Sequence, residues 1–328
     1  MTGTVSAESD LSYEVLDIDP GAEGERIGRR IRNHLRSSLK RRGLVLGLSG
    51  GVDSSVCAAL AVEAVGPEKV FALLMPENDG SGESLEKGWL VAEQLGIRHE
   101  IRDITATLQA LGCYQARDDS IRKVFPDYGN DWRNKIVLRG GQEGRINHFN
   151  LVVQSPNGQL HEQRLGVEEY LEIVAATNYK QRVRKMLEYH YADRFNYAVV
   201  GTPNRLEYEL GFFVKNGDGS ADLKPIAHLF KTQVYALAEH FDIPESIRMA
   251  PPSTDTYSLS QGQDEFYFAL PYGEMDLALW AYDNSRTAWE LGIFLNIGTE
   301  GASRVYADIE KKRQMANYLH APPLLCAD

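Results

Sequence analysis

The 328 residues are 43% hydrophobic and 25% charged, a balance suited to globular structure with a large core. Lys and Arg total 35 against 46 Asp and Glu, and the resulting charge of −11 argues against a nucleic-acid-coating surface, which needs clustered positive charge. No run approaches the ~18 apolar residues of a membrane helix. Cys57, Cys113 and Cys326 show neither metal-type nor redox-type spacing. The polar, acidic start MTGTVSAESDLSYE has no apolar signal-peptide core. The expectation is a reduced, cytoplasmic protein with no nucleic-acid or membrane partner.

Residues 1–22 read as a lead-in punctuated by Pro20-Gly21. From Glu23 to Arg42, Ile27, Ile31, Leu35 and Leu39 recur every four residues and predict one helical stripe. The Arg-rich remainder of that helix carries no interleaved aromatics and reads as a solvated face. Leu44–Leu48 predicts a buried strand, Ser49–Asp53 a turn, and Ser54–Val65 a helix stopped at Gly66-Pro67. Residues 69–76 predict a second strand, 84–96 a helix and 97–104 a third strand. Further on, 182–195 predicts a helix, 197–202 a strand and 231–244 a helix. Strands alternating with helices define an α/β class with a doubly wound parallel sheet. Residues 113–176 interrupt the alternation. There NHFNLVVQ and QLHEQRL flank Ser155-Pro156-Asn157-Gly158, the pattern of an inserted β-hairpin. The organisation expected is one domain over 23–328, with 113–176 as the insertion.

Chemistry concentrates in Ser49-Gly50-Gly51-Val52-Asp53-Ser54-Ser55, between an apolar strand and a helix. Glycines there let backbone approach an anion, and a helix start offers unpaired N–H groups with positive dipole charge. Three hydroxyls add donors, and Asp53 adds a carboxylate through which magnesium could bridge to phosphate oxygens. The segment has neither the G-x-x-x-x-G-K-[ST] of a P-loop nor the G-x-G-x-x-G of a dinucleotide fold. The seven residues read as a polyphosphate cradle of another type.

SGGVDSS resembles the pyrophosphate loop of the N-type ATP pyrophosphatases, which cleave ATP between the α and β phosphates and adenylate a substrate. Their fold is the Rossmann-like one of the adenine nucleotide alpha hydrolases. GTPNRLEYELGFFVKNGDGSADLKPIAHLFKTQVYALAEHFDIP, residues 201–244, resembles the core block of the ammonia-dependent NAD synthetase family. Asn178–Met186 resembles that family's Asn-x-x-Ala-Arg-x-Arg-x-Met helix, and PPSTDTYSLSQGQDE its Gln-x-Asp-Glu segment. The motifs arrive in family order across residues 25–112 and 176–320.

The resemblance implies ATP-dependent amidation of deamido-NAD with ammonia, through an acyl-adenylate, releasing AMP and pyrophosphate. It places ATP on Ser49, Gly50, Gly51, Asp53, Ser54, Ser55, Thr202, Lys231 and Ser253, with magnesium on Asp53 and Glu207. It places deamido-NAD on Arg182, Lys215, Asp218, Asp222, Asp264 and Glu265, and gives Asp53, Lys231 and Lys215 catalytic roles. Arg182 and Arg184 lie two apart on a helix and cannot share one face, so at most one points into the site. Lys311-Lys312-Arg313 resembles the basic cluster of the family's C-terminal segment and equally fits a solvated face. Family members are homodimers, and a dimer is expected here.

The pyrophosphatase core fills the chain from about residue 40, leaving no room for a glutaminase domain of ~100 residues or more. Free ammonia, or ammonia from a separate partner, is the expected nitrogen source. Pro203, Gln181, Asn216 and Thr256-Tyr257 depart from the family pattern on the acceptor side. They keep open a divergent ligase amidating another carboxylate. A nucleotide sensor using the fold as a binding module is the non-enzymatic alternative.

Overall fold

The computed structural model describes residues 11–139, 148–251, 257–259, 267 and 270–326. Four strands, β1 (Leu44–Gly47), β2 (Val70–Leu74), β3 (Arg98–Ile101) and the short β7 (Ala198–Val199), form a parallel sheet in the order β3-β2-β1-β7. Side chains alternate across it. Leu44, Leu46, Val70, Ala72 and Ala198 face one layer, while Val45, Phe71, Leu73 and Val199 face the other. The first layer is α1 (Pro20–Asn33), α2 (Val52–Val65) and α8 (Lys231–His240); the second is α4 (Thr105–Ala110) and α6 (Val167–Phe195). Both faces are covered over β1, β2 and β7, which is why these three read as apolar runs, whereas the edge strand β3 reads Arg-His-Glu-Ile and is not buried.

The predicted first helix divides in two. Asp19 caps α1 by accepting the N–H of Ala22 at 3.0 Å, and a π turn over His34–Leu39 ends at Lys40 with φ 52°. Between β2 and β3 lies α3 (Gly82–Gln94).

The interrupting segment holds more than a hairpin. After α5 (Cys113–Val124), β4 (Arg133–Arg139) pairs antiparallel with β5 (His148–Gln154), which pairs antiparallel with β6 (Leu160–Arg164). The expected hairpin is β5–β6, turning at Ser155–Gly158, where Gly158 donates its N–H to Ser155 at 2.8 Å. The extra strand β4 reads RNKIVLR, whose period-two pattern is broken by Asn134 on the apolar face and Val137 on the cationic one; only Asn134, Ile136 and Val137 are buried. Ile136, Leu151 and Val153 pack with Ile121 and Ile173 as a separate core. The segment closes inside α6, a 29-residue helix whose last half lies against the parallel sheet.

A third core gathers the lead-in residues Leu11 and Leu16 with Leu206 and Leu210 of α7 (Arg205–Leu210). It is completed by α10 (Tyr272–Asp283), α11 (Ala288–Phe294) and α12 (Gly298–His320); α9 is the short turn Glu245–Arg248. This core stands beside the carboxyl ends of β1 and β7. The chain winds from β1 outward to β3 and then returns to β7 on the other side of β1, so the topological switch lies between β1 and β7. Open α/β sheets bind ligands at such a crevice.

Candidate active site

A cleft of about 530 Å³ opens at that crevice. Its floor is the loop from β1 to α2. Gly50 has φ +78°, and a Cβ there would stand 2.4 Å from the Ser84 carbonyl oxygen, so glycine alone lets the loop pass under α3. Gly51 is the N-cap of α2 and supplies no side-chain cap, which leaves first-turn N–H groups and the dipole available to an anion. The hydroxyls brace this loop: Ser54 donates to Gly51 O at 3.0 Å, Ser55 donates to the same oxygen at 2.9 Å, and Ser49 Oγ lies 3.1 Å from Ser54 Oγ. Ser49, Gly50, Gly51, Asp53 and Ser54 line the cleft. Ser55 is fully buried, its side chain spent on the helix start.

Lys231 opens α8 and reaches across to donate to Asp53 Oδ2. Its side chain is 2% exposed. Burial alone would pull its ammonium down, but the carboxylates of Asp53 and Glu207 overcome that and hold it above the ordinary lysine value. Asn204 Nδ2 donates to the other Asp53 oxygen at 3.2 Å. Asn204 and Glu207 also form a reciprocal capping box at α7, with Glu207 N donating to Asn204 Oδ1 and Asn204 N donating to Glu207 Oε2. Two acidic side chains therefore flank one buried ammonium beside the glycine loop. Asp276 supports the start of α8 by accepting the N–H groups of Lys231 and Thr232. Thr202 and Pro203 line the cleft just beyond β7, at the strand's carboxyl edge.

The far half of the cleft is set by α6 and the 212–220 turn. Asp218 is half-buried and accepts the N–H of Val214 at 2.7 Å, and desolvation raises its carboxyl. Arg184 and Lys185 line the cleft, whereas Arg182 lies outside the lining and its Nε donates to Lys215 O at 3.4 Å. Lys215 also stands outside it: Nζ donates to Tyr318 O and Ala321 O, tying the turn to the end of α12. Asp222 accepts the N–H of Val199 at 2.7 Å and steadies β7 from behind. In the basic triplet, Lys312 is buried against Asp308 and Tyr267 O, and Arg313 pairs with Glu209 and Asp283. Ser253, Asp264 and Glu265 lie outside the described residues.

A family description for NAD synthase matches residues 25–126 and 147–318. The chain belongs to the NAD synthase family. It is similar to the NH(3)-dependent NAD(+) synthetase of Rhizobium meliloti, at 57% identity over 96% of this chain and 94% of that one. The synthetase of the same name from Rhizobium rhizogenes is 52% identical over 98% and 97%. Among solved structures, NMN synthetase from Francisella tularensis superposes with a TM-score of 0.65, at 21% identity over 94% of this chain and 99% of that one. The NH3-dependent NAD synthetase of Campylobacter jejuni gives 0.61 at 21%, over 94% and 100%. Both structural likenesses show the fold.

Some residues of this NAD synthase site escape the sequence reading. Asn204-Arg205-Leu206-Glu207 carries the spacing of a capping box, a local signal that would have marked Asn204 as a helix start. Asp276 caps a helix 44 residues away from it in sequence, and no local pattern announces that. Lys185 and Glu188 sit three apart on α6, where they look like a solvated pair. Instead both are buried, 2.6 Å apart, and both line the cleft.

Proposed function

We propose that this NAD synthase-family chain amidates deamido-NAD to NAD with ammonia, consuming ATP and releasing AMP and pyrophosphate. The observation that carries the reading is the pairing of buried Lys231 with Asp53, closing over the glycine loop in one cleft with Asp218. Relatives named NH(3)-dependent NAD(+) synthetase, matched over nearly their whole length, support the acceptor and the nitrogen source.

In this reading the nicotinate carboxylate oxygen attacks the α-phosphorus, and the bond from that phosphorus to the bridging oxygen breaks. Ammonia then attacks the acyl carbon, the C–O bond to AMP breaks, and the extra proton leaves nitrogen. The loop N–H groups hold the polyphosphate, with Ser49, Ser54 and Ser55 bracing the loop and Thr202 shaping its bed. Lys231 balances charge developing on the pyrophosphate leaving group. Asp218 and Arg184 face the acceptor half of the cleft. Lys215 and Asp222 act on that half by fixing the turn around Asp218, and Arg182 acts through Lys215. Ser253, Asp264 and Glu265 are retained as family-derived contacts.

Magnesium fits Asp53 and Glu207. It takes one or two protein carboxylates and completes its shell with phosphate oxygens and water. Among the described residues no group of three or more His, Cys, Asp or Glu side chains is poised to cage a metal. When bound, the ion would neutralise charge on the phosphate oxygens.

A homodimer is supported by Leu171, Tyr179 and Met186, exposed apolar side chains at helical spacing along α6. A cytoplasmic setting is supported by ATP and pyridine dinucleotides being metabolites of that compartment.

The test supplies purified protein with ATP, magnesium and deamido-NAD, and compares ammonium with glutamine. NAD and AMP formed in equal amounts from ammonium establish the reaction. Absence of NAD, with pyrophosphate exchange driven by another acid, moves the chain to the divergent ligase.

A further inference from the structure

We propose that Lys185 reads the reacting carboxylate of the acceptor and so separates the acid substrate from its amide product. The inference rests on the amidation proposed above, in which substrate and product differ only by that change at one group.

The first support is position. Lys185 and Glu188 lie on the face of α6 that meets the carboxyl end of β1, and both line the cleft. Glu188 Oε1 sits so close to Gly47, the last residue of β1, that a Cβ there would stand 3.1 Å from it. Gly47 leads through Leu48 into the phosphate loop. Lys185 therefore stands at the β1–β7 switch, with the ATP loop on one side and the Asp218 turn on the other.

The second support is the charge arrangement. The Lys185 side chain is 7% exposed, and its ammonium donates to Glu188 at 2.6 Å. The charged groups acting on Glu188 are Lys185 and Arg184 from its own helix and Asp218 from the facing turn. Lys224, whose Nζ donates to Gly219 O, also feels Lys185 and Asp218. Burial raises the carboxyl of Glu188 and that of Asp218, so neither holds its charge as firmly as a solvated carboxylate. Lys231, the other buried lysine of the cleft, is committed to Asp53 at the ATP end. An arriving carboxylate can share the Lys185 ammonium with Glu188 and gain a charge-assisted hydrogen bond. A neutral amide gains less from the same cation, and a site built around a charged partner discriminates against the isostere lacking it.

The test measures binding of deamido-NAD and of NAD by calorimetry, with KM for ATP, on the full chain and on Lys185→Met and Lys185→Met/Glu188→Gln. The double variant leaves no charge of the pair behind, which guards against misfolding from an unpaired buried carboxylate. The expected result is that preference for the acid over the amide falls at least about tenfold in both variants, while KM for ATP moves less than about twofold. Preference retained in the double variant overturns the inference, as does equal weakening of both dinucleotides. Wild-type protein that forms no NAD would instead overturn the amidation reading, and the inference with it. Wild-type turnover with unchanged preference in the variants removes only the role of Lys185.

Discussion

The Asp276 carboxylate accepts the backbone N–H of Thr232 at 2.8 Å, joining α10 to the first turn of α8. The same carboxylate accepts the N–H of Lys231 at 3.2 Å, so one side chain of the third core fixes the helix start that carries the cleft lysine. Burial raises Asp276 to about 6, and the two backbone donors only partly offset it. Below pH ~4 the group is protonated in folded and unfolded chains alike. Between about 4 and 6 the folded chain keeps a proton that the unfolded chain releases, so stability falls as pH rises. We expect this group to withdraw about 3 kcal/mol across that window, and Asp276→Asn to abolish the slope. Urea unfolding of wild type and variant at pH 4.5, 5.5 and 7 checks it. Parallel curves at all three pH values would refute the assignment.

In the proposed reaction the Lys231 ammonium acts on charge appearing at the leaving group, so Lys231→Met should lower turnover at least about 100-fold with a smaller change in KM for deamido-NAD. Steady-state kinetics with each substrate varied in turn measures the split. A rise confined to KM for deamido-NAD would place Lys231 on the wrong substrate. Asp53→Asn should raise the magnesium concentration needed for half-maximal rate, and excess chelator should abolish turnover of the wild type.

Much of the glycine-loop half of the cleft was legible in the residues. Apolar runs interrupted by Gly and Ser announced the strand–loop–helix, and Thr202 followed a strand end. What stayed hidden depends on tertiary distance. Lys180 looks like a solvated helix lysine, yet it is 1% exposed and bonds Glu77 and Asp79, about a hundred positions away. β4 was missed because its alternation is broken on both faces: Asn134 sits with Ile136 and Leu138, and buried Val137 sits with Arg133, Lys135 and Arg139. Lys215 and Asp222 carry the family pattern in sequence, while their contacts are with the end of α12 and the backbone of β7. Sequence spacing identifies the turn they belong to, but not which of its side chains face inward.

The Lys180 contacts belong to a buried network in which Arg117 also pairs with Asp79, and Glu77 lines the cleft. It latches the segment after β2 to α5 and α6. Lys180→Met leaves two carboxylates facing one fewer cation and should cost about 3–5 kcal/mol. Burial would raise Asp79, but Lys180 and Arg117 outweigh it and hold the group below its ordinary value. Its contribution is therefore complete above pH ~4 and lost as pH falls further. Thermal unfolding should show the variant well below wild type at pH 7, with the gap narrowing in acid. A gap that widens in acid would contradict the pairing.

The three thiols should separate cleanly by reactivity. Thiolate is the reactive form, so burial protects a cysteine both by access and by raising its pKa. Cys57 lies inside α2 with 0% exposure, and burial, then Asp53 and Glu207, push its thiol well up. Cys113 is raised by burial to about 11 and donates to Ala176 O at 3.2 Å. Cys326 is exposed beyond α12. A chromogenic disulfide added to native protein at pH 8 should titrate one thiol rapidly, and the other two only after denaturant. Because the reaction proposed uses no cysteine nucleophile, labelling that single thiol should leave NAD formation within about twofold of the untreated protein. Rapid loss of a second thiol would show that α2 opens readily, which its sealed packing against the sheet opposes.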